Sequence, residues 1–397
     1  MNLVAGETEE EKWENKARLN DIITNISNNK SEKIFRNLFT TCGFLFVALL
    51  LTAVTEGSIE STAQPMKYLP KEYVYEREPN NVRYPTCDME GTGALGFGES
   101  STMLDYAYLA SAAYWGQESM EEDLDLWFST TFENGTVKDE QAIVDAFREE
   151  EDPDGEVAVT FKMISMPSPE ANKTLAIILI RGTVNQWDML ADAQLWSAAA
   201  MMQALRLFIP FGKLWTPIFS ELVLWMNTLV STSLDKIAFY KLTKKFAEHV
   251  KGQFDYVQVT GHSLGGGLSL ITGAQAKIPA IGFSAPNALI SGSSFKPAVT
   301  EEDLNTYTFN VIPNWDVVPK LDDRADQIQY VQCTADMGTA MLFCHFMTRT
   351  ICEIMTTCGT GDRLAVCECH TQYGYEKPTF LGDGEDPFDE LCADTYL

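Results

Sequence analysis

The chain predicts an α/β fold with a mostly parallel central sheet and flanking helices, and three observations predict it. Short apolar runs rich in β-branched residues recur along the middle of the chain: "VAVTF" (157–161), "LAIILI" (175–180), "YVQVT" (256–260), "AIGFS" (280–284) and "YTFNVI" (307–312). Segments with helical periodicity fall between several of them, which argues a sheet covered on both faces. One of the strands, "DYVQVT", runs straight into "GHSLGG" and then into the helical pattern "GLSLITGAQAK".

Taken from the N-terminus, the first feature is an uncharged apolar run from Leu38 to Val54, short for a membrane span but within its range. Lys30, Lys33 and Arg36 precede it, and Glu56 and Glu60 follow. This charge asymmetry predicts a signal anchor with the N-terminus in the cytosol. A cleaved signal peptide is the rival, but the polar leader is long and no clean cleavage site follows. The expected organisation is a cytosolic tail (1–33), a transmembrane helix (34–55), a polar, turn-rich stalk (56–95) and one large domain (96–397) on the lumenal or extracellular side.

Within that domain, "STMLDYAYLASAAYW" carries an apolar face at helical spacing. In "LDKIAFYKLTKKFAEHV", Leu234, Ala238, Leu242, Phe246 and Val250 repeat every four residues along one side. The stretch 196–231 is strongly apolar, with two readings: buried helices, or a lid that covers a site in water and opens on lipid. Pro210, Gly212, Lys213, Pro217 and Glu221 interrupt it, so a second membrane span is disfavoured.

The net charge of −27 excludes a general affinity for nucleic acid, because the summed field repels polyphosphates. Much of the acid lies in "ESMEEDLDLW" and "REEEDPDGE", which read as a solvated face. Of nine cysteines, eight lie beyond the apolar run (Cys87, Cys333, Cys344, Cys352, Cys358, Cys367, Cys369 and Cys392). An even set on the non-cytosolic side suggests disulfides, concentrated in a C-terminal segment stapled rather than built on a deep core. Zinc is the rival use, but no C-x-x-C spacing occurs and no metal is expected. Asn134 and Asn172 head glycosylation sequons.

A serine between a strand and a helix sits at strained backbone angles, and a side chain two residues either side would collide with the turn. Gly261 and Gly265 therefore flank Ser263, whose Oγ is lifted clear as a candidate nucleophile. The helix N-terminus and the Leu264 amide can stabilise an oxyanion. A second donor is sought in Thr183, where the run 175–180 ends at Arg181-Gly182-Thr183. "RGT...WDMLAD", "VTGHSLGG", "GFSAP" and "NVIPNWDVVPKL" together resemble the class 3 lipases over roughly residues 100–375. The resemblance implies an α/β-hydrolase fold, acylglycerol ester hydrolysis, a Ser-Asp-His triad and no cofactor. The expected partner is then a lipid ester at a membrane or emulsion surface. A binding module without turnover and a thioesterase are the alternatives.

The acid is placed at Asp316, at the end of a strand, much as the family places its own. Asp322, Asp323 and Asp326 nearby read as solvated loop acids. For the base, His249 precedes the nucleophile and His262 belongs to the turn itself. Two histidines remain open. His370 in "CECHTQYGY" has the H-x-x-Y look of many family members. His345 in "LFCHFMTRTICEIMTTCG" is bracketed by cysteines that can fix its loop, and it is preferred because a base must hold its position.

Overall fold

A computed structural model of the chain describes residues 66–77, 84, 87–89, 102–133, 135–154, 159–170, 172–182, 239–333 and 343–395, all within the unit Val54–Leu397. The expected anchor (34–55) lies outside the described residues. Among the described residues, no helix is long and apolar enough to cross a membrane.

The strands are β1 (Tyr73–Val74), β2 (Lys138–Asp139), β3 (Phe161–Pro167), β4 (Thr174–Ile180), β5 (Tyr256–His262), β6 (Ala280–Phe283), β7 (Thr308–Pro313), β8 (Ile328–Val331) and β9 (Thr379–Phe380). A seven-stranded sheet runs in the order β2-β3-β4-β5-β6-β7-β8. β2, β3 and β4 pair antiparallel, and β4 through β8 pair parallel. The mixed α/β class with a mostly parallel sheet is as expected. The first expected strand differs. "VAVTF" contributes only its last residue, Phe161, because the strand is set by the hairpin in which Pro167 pairs with Thr174 and Phe161 with Ile180. β2 and β8 were not foreseen. Both are short, lie at the sheet edges and carry polar residues, so neither shows a continuous apolar run.

Strand β4 shows why the central runs are apolar throughout. Leu175, Ile177 and Leu179 enter one core, and Ala176, Ile178 and Ile180 enter the other. Side chains alternate across a strand, and here both faces are covered. On the second face lie α4 (Phe239–Val250) and α5 (Ser263–Ala276). On the first lie α1 (Thr102–Ala112) and α7 (Met347–Cys358), packed on each other. Helices α2 (Gln117–Phe128), α3 (Gln141–Glu151), α6 (Glu301–Tyr307), α8 (Cys367–Thr371) and α9 (Phe388–Leu391) complete the described set.

Two expectations about the ends of the domain are corrected. The described part of the expected stalk packs into the domain through its apolar residues: Leu69, Tyr73, Tyr84 and Cys87 are buried, β1 pairs with β9, and Tyr68 bridges to Val366. Polar turn residues between these aromatics masked a segment whose apolar side chains are spaced for burial. The C-terminal segment is stapled and deep at once. Ile351, Ile354 and Met355 of α7 are fully buried in the first core. All eight cysteines pair, as Cys87–Cys358, Cys333–Cys344, Cys352–Cys369 and Cys367–Cys392. None of their sulfurs is therefore a free thiolate for zinc. The first bridge ties the N-terminal strap to the end of α7 across 271 residues.

A buried ion pair completes this face. Arg363 Nε donates to Asp105 Oδ1 at 2.8 Å and Nη2 donates to Oδ2 at 3.1 Å, while Trp127 Nε1 also donates to Oδ1 at 2.8 Å. Both side chains are essentially out of water. Arg363→Leu is expected to cost about 3–5 kcal/mol, since it leaves a charge buried without its partner. Asp105→Leu combined with Arg363→Leu should recover much of that loss, and urea unfolding of the two variants checks it.

Candidate active site

The chain turns sharply after β5. The strand ends at His262 and α5 begins at Ser263, whose φ of 60° is left-handed. That conformation costs a non-glycine residue energy, and it projects the hydroxyl from the turn. The flanking glycines answer to close approach. A Cβ at Gly261 would fall 2.6 Å from the Ile180 carbonyl oxygen and 2.7 Å from that of Gly265. At Gly265 it would fall 2.5 Å from Arg181 C and Gly182 N. The end of β4 is thus pressed onto the start of α5, and a Cβ at Gly182 would itself come within 3.1 Å of Ser263 Cβ. Leu264 is buried at the second position of α5, where a backbone N–H has no intrahelical acceptor. Thr183 lies outside the described residues, as does the apolar stretch 196–231.

Asp316 follows β7 and His345 follows β8, so the loops leaving the C-terminal ends of three parallel strands meet. Ser263 Oγ lies 2.8 Å from His345 Nε2, and His345 Nδ1 lies 2.9 Å from Asp316 Oδ2. A carboxylate only accepts, so Nδ1 carries the proton and Nε2 is left to accept from the serine hydroxyl. The other carboxylate oxygen, Oδ1, accepts from the Val318 amide at 2.9 Å, which fixes the buried Asp316 side chain. His345 is held from the preceding residue by the Cys333–Cys344 bridge.

His370 does not join this group. It sits on α8, with Nδ1 donating to the Tyr375 carbonyl at 2.8 Å and its ring against Phe388. His249 is on α4, bonded to Gln253. His262 is fully buried beside the site, and burial pushes its imidazole well below the usual histidine range, with the charge of His345 acting in the same direction and the hydrogen bond to the His345 carbonyl opposing it. Asn172 is exposed in the β3–β4 turn, while Asn134 lies outside the described residues.

Residues 177–324 match the family described as lipase, class 3. Over that stretch the sequence is similar to the class 3 lipases. The match is consistent with the lipase family of the α/β-hydrolase superfamily, and it supports a lipid ester hydrolase at the level of the family. It includes Ser263 and Asp316 and ends before His345, so the cysteine-rich segment is where this chain goes beyond the lipase match. No curated protein matches the chain.

Two features next to the lipase-like site were not read from the sequence. Trp315, the neighbour of Asp316, has φ 73° and is 57% exposed. A bulky residue at positive φ is strained, and here the strain lets Asp316 turn inward while the indole faces out. Trp315, Asp316, Lys320, Arg324 and Tyr330 line a depression of about 430 Å³. The second feature is a correction. Asp322 is not a solvated loop acid but is buried, because its carboxylate caps the turn at Ile290 and Ser291. It accepts from Ile290 N at 2.7 Å, Ser291 N at 3.1 Å, Ser291 Oγ at 2.6 Å and Asp323 N at 2.6 Å.

Burial pushes the Asp322 carboxyl up to about 7 against the pull of these hydrogen bonds. An unfolded aspartate titrates near ~3.9. Between these values the folded chain holds a proton that the unfolded chain has released. The stabilisation is therefore full below about pH 4 and is lost as pH rises through about 7. Stability from denaturant titrations is expected to decline over that window, and Asp322→Asn is expected to make the decline shallower, leaving the part due to Asp123, whose carboxyl burial lifts to about 6.

Proposed function

We propose that the chain is a serine hydrolase that cleaves carboxylic esters of lipids, an acylglycerol lipase acting through an acyl-enzyme. The observation that carries this reading is the unbroken line from Ser263 Oγ through His345 to Asp316 Oδ2, at 2.8 and 2.9 Å. His345 Nε2 takes the hydroxyl proton as Oγ attacks the ester carbonyl. Asp316 holds the ring in the tautomer that can accept that proton, and it stabilises the imidazolium. The oxyanion is met by the Leu264 amide at the N-terminus of α5, with Thr183 as the second donor. His345 then returns the proton to the leaving alcohol, and water, deprotonated by the same imidazole, releases the fatty acid. No metal or cofactor enters these steps. A module that only binds lipid has no use for a strained serine, a base and a buried acid held in line. The family match and the apolar stretch 196–231, read as a lid, favour lipid esters over the thioesters of a thioesterase.

Ser263→Ala and His345→Ala are each expected to lower ester hydrolysis by ~10³-fold or more with the circular dichroism unchanged, and His370→Ala to keep most of it. The assay compares emulsified acylglycerols with water-soluble short esters. Retained turnover in Ser263→Ala would sink the reading, and His370→Ala losing activity while His345→Ala keeps it would move the base.

We also propose a single-pass type II membrane protein, anchored by 34–55, with this domain lumenal or extracellular. The flanking charges and the four disulfides support it, since such bridges persist in oxidising compartments. Glycosidase treatment of protein from a eukaryotic secretory host is expected to lower its mass, and not that of a variant lacking Asn134 and Asn172. An unchanged mass would count against this topology.

A further inference from the structure

The base is held from two sides. On the side of Cys344 the disulfide to Cys333 closes the loop. On the other side, α7 begins by using the Phe346 carbonyl, which accepts from the Thr350 amide at 3.2 Å. That leaves the His345 carbonyl just outside the helix. It is taken by His262, whose Nε2 lies 2.8 Å from the His345 oxygen.

A carbonyl can only accept, so His262 Nε2 bears the hydrogen and its Nδ1 bears a lone pair. Tyr114 supplies the matching donor, with its hydroxyl 3.0 Å from Nδ1. Both ring nitrogens of His262 are thereby committed to one tautomer and one orientation. The same Tyr114 hydroxyl also lies where a Cβ on Gly182 would have to go. Tyr114 therefore touches the end of β4 as well as the residue before the nucleophile. The rings of His262 and His345 lie 4.7 Å apart and tilted by 38°, so a neutral His262 is also the neighbour that a charged His345 tolerates.

We propose that His262 and Tyr114 are positioning residues for the base: the His262 Nε2–H holds the His345 main chain, and Tyr114 locks the ring that does so. The inference rests on the reading of His345 as the base. It gives the histidine of "GHSLG" a task of its own, since the residue beside the nucleophile fixes how far the base stands from that nucleophile. A carbonyl released here lets the whole residue drift. Misplacement by about 1 Å costs catalysis up to about 100-fold without altering what binds the substrate.

The experiment uses the full chain and a soluble short ester. His262→Leu is expected to lower kcat by about 10- to 100-fold with KM within about twofold of wild type. The rate of Ser263 labelling by a fluorophosphonate should fall in parallel, because it too needs the serine proton to be removed. His262→Gln carries a terminal amide N–H at similar reach and is expected to recover most of the loss. Tyr114→Phe removes one oxygen and should lose kcat in the same sense by a smaller factor. Wild-type kcat in His262→Leu, equal rates in the Leu and Gln variants, or a loss confined to KM would overturn the proposal. If His262→Leu fails to fold, Tyr114→Phe and His262→Gln decide: wild-type kcat in Tyr114→Phe, or a His262→Gln protein as slow as Ser263→Ala, overturns it. Turnover by Ser263→Ala would instead overturn the assignment of the nucleophile itself.

Discussion

The contact on which the site depends is the approach of the β4 end to the start of α5. Ile180 O, Arg181 C and Gly182 N stand so close to Gly261 and Gly265 that no side chain fits between them. Because the backbones touch, the chain has to turn within one residue, and that residue is Ser263 at φ 60°. The strain at the serine is held in place by packing on both sides, since β4 and β5 are buried central strands in a register that pairs Ile180 with Gly261. Relaxing it would mean separating two strands of the sheet. A hydroxyl exposed at the helix N-terminus is the consequence.

From that fixed point the acid and the histidine arrive by different means. Asp316 is set by the strand before it and by the amide of Val318. Trp315 takes up the positive φ that the inward turn of Asp316 requires. His345 comes on a longer connection, and it is held where the Cys333–Cys344 bridge precedes it and the His262 imidazole takes its carbonyl. Both devices restrain main chain rather than ring. The imidazole itself is left with two bonds, one to Ser263 and one to Asp316, which are the two that the proposed proton transfer uses.

The cysteine-rich segment links this loop to the core. Helix α7 follows His345 directly and lies fully inside the first core beside α1. Its end is bridged to Cys87, and its middle to Cys369. Asp105 on α1 and Arg363 after α7 close the same layer with a charge pair that excludes water. Covalent closure and burial reinforce each other here, because a bridge constrains the unfolded chain while the apolar helix stabilises the folded one. The helix that begins two residues after His345 is accordingly one of the best-anchored pieces of the molecule.

What the sequence determined by itself was whatever local chemistry dictates. A run such as "LAIILI" is apolar on both faces and reads as a central strand. The glycines about Ser263 read as a turn with no room for side chains, and the cysteines read as a disulfide framework without its connectivity. Short edge strands such as Ile328–Val331 escaped because half their residues face water and leave no run to see. Tyr73 and Tyr84 read as stalk residues because their partners, Phe380 and Glu353, lie far along the chain. The same limit applies to the site. Asp316, Asp322 and Asp326 are all acids in one loop, and only folding makes one face His345, one cap a buried turn and one face solvent. His345 and His370 are likewise both histidines near cysteines. Which of them stands 2.8 Å from Ser263 Oγ was decided by the tertiary structure, because that distance depends on how β5, β7 and β8 stack in the sheet, and no local pattern encodes the spacing of strands that are remote in sequence.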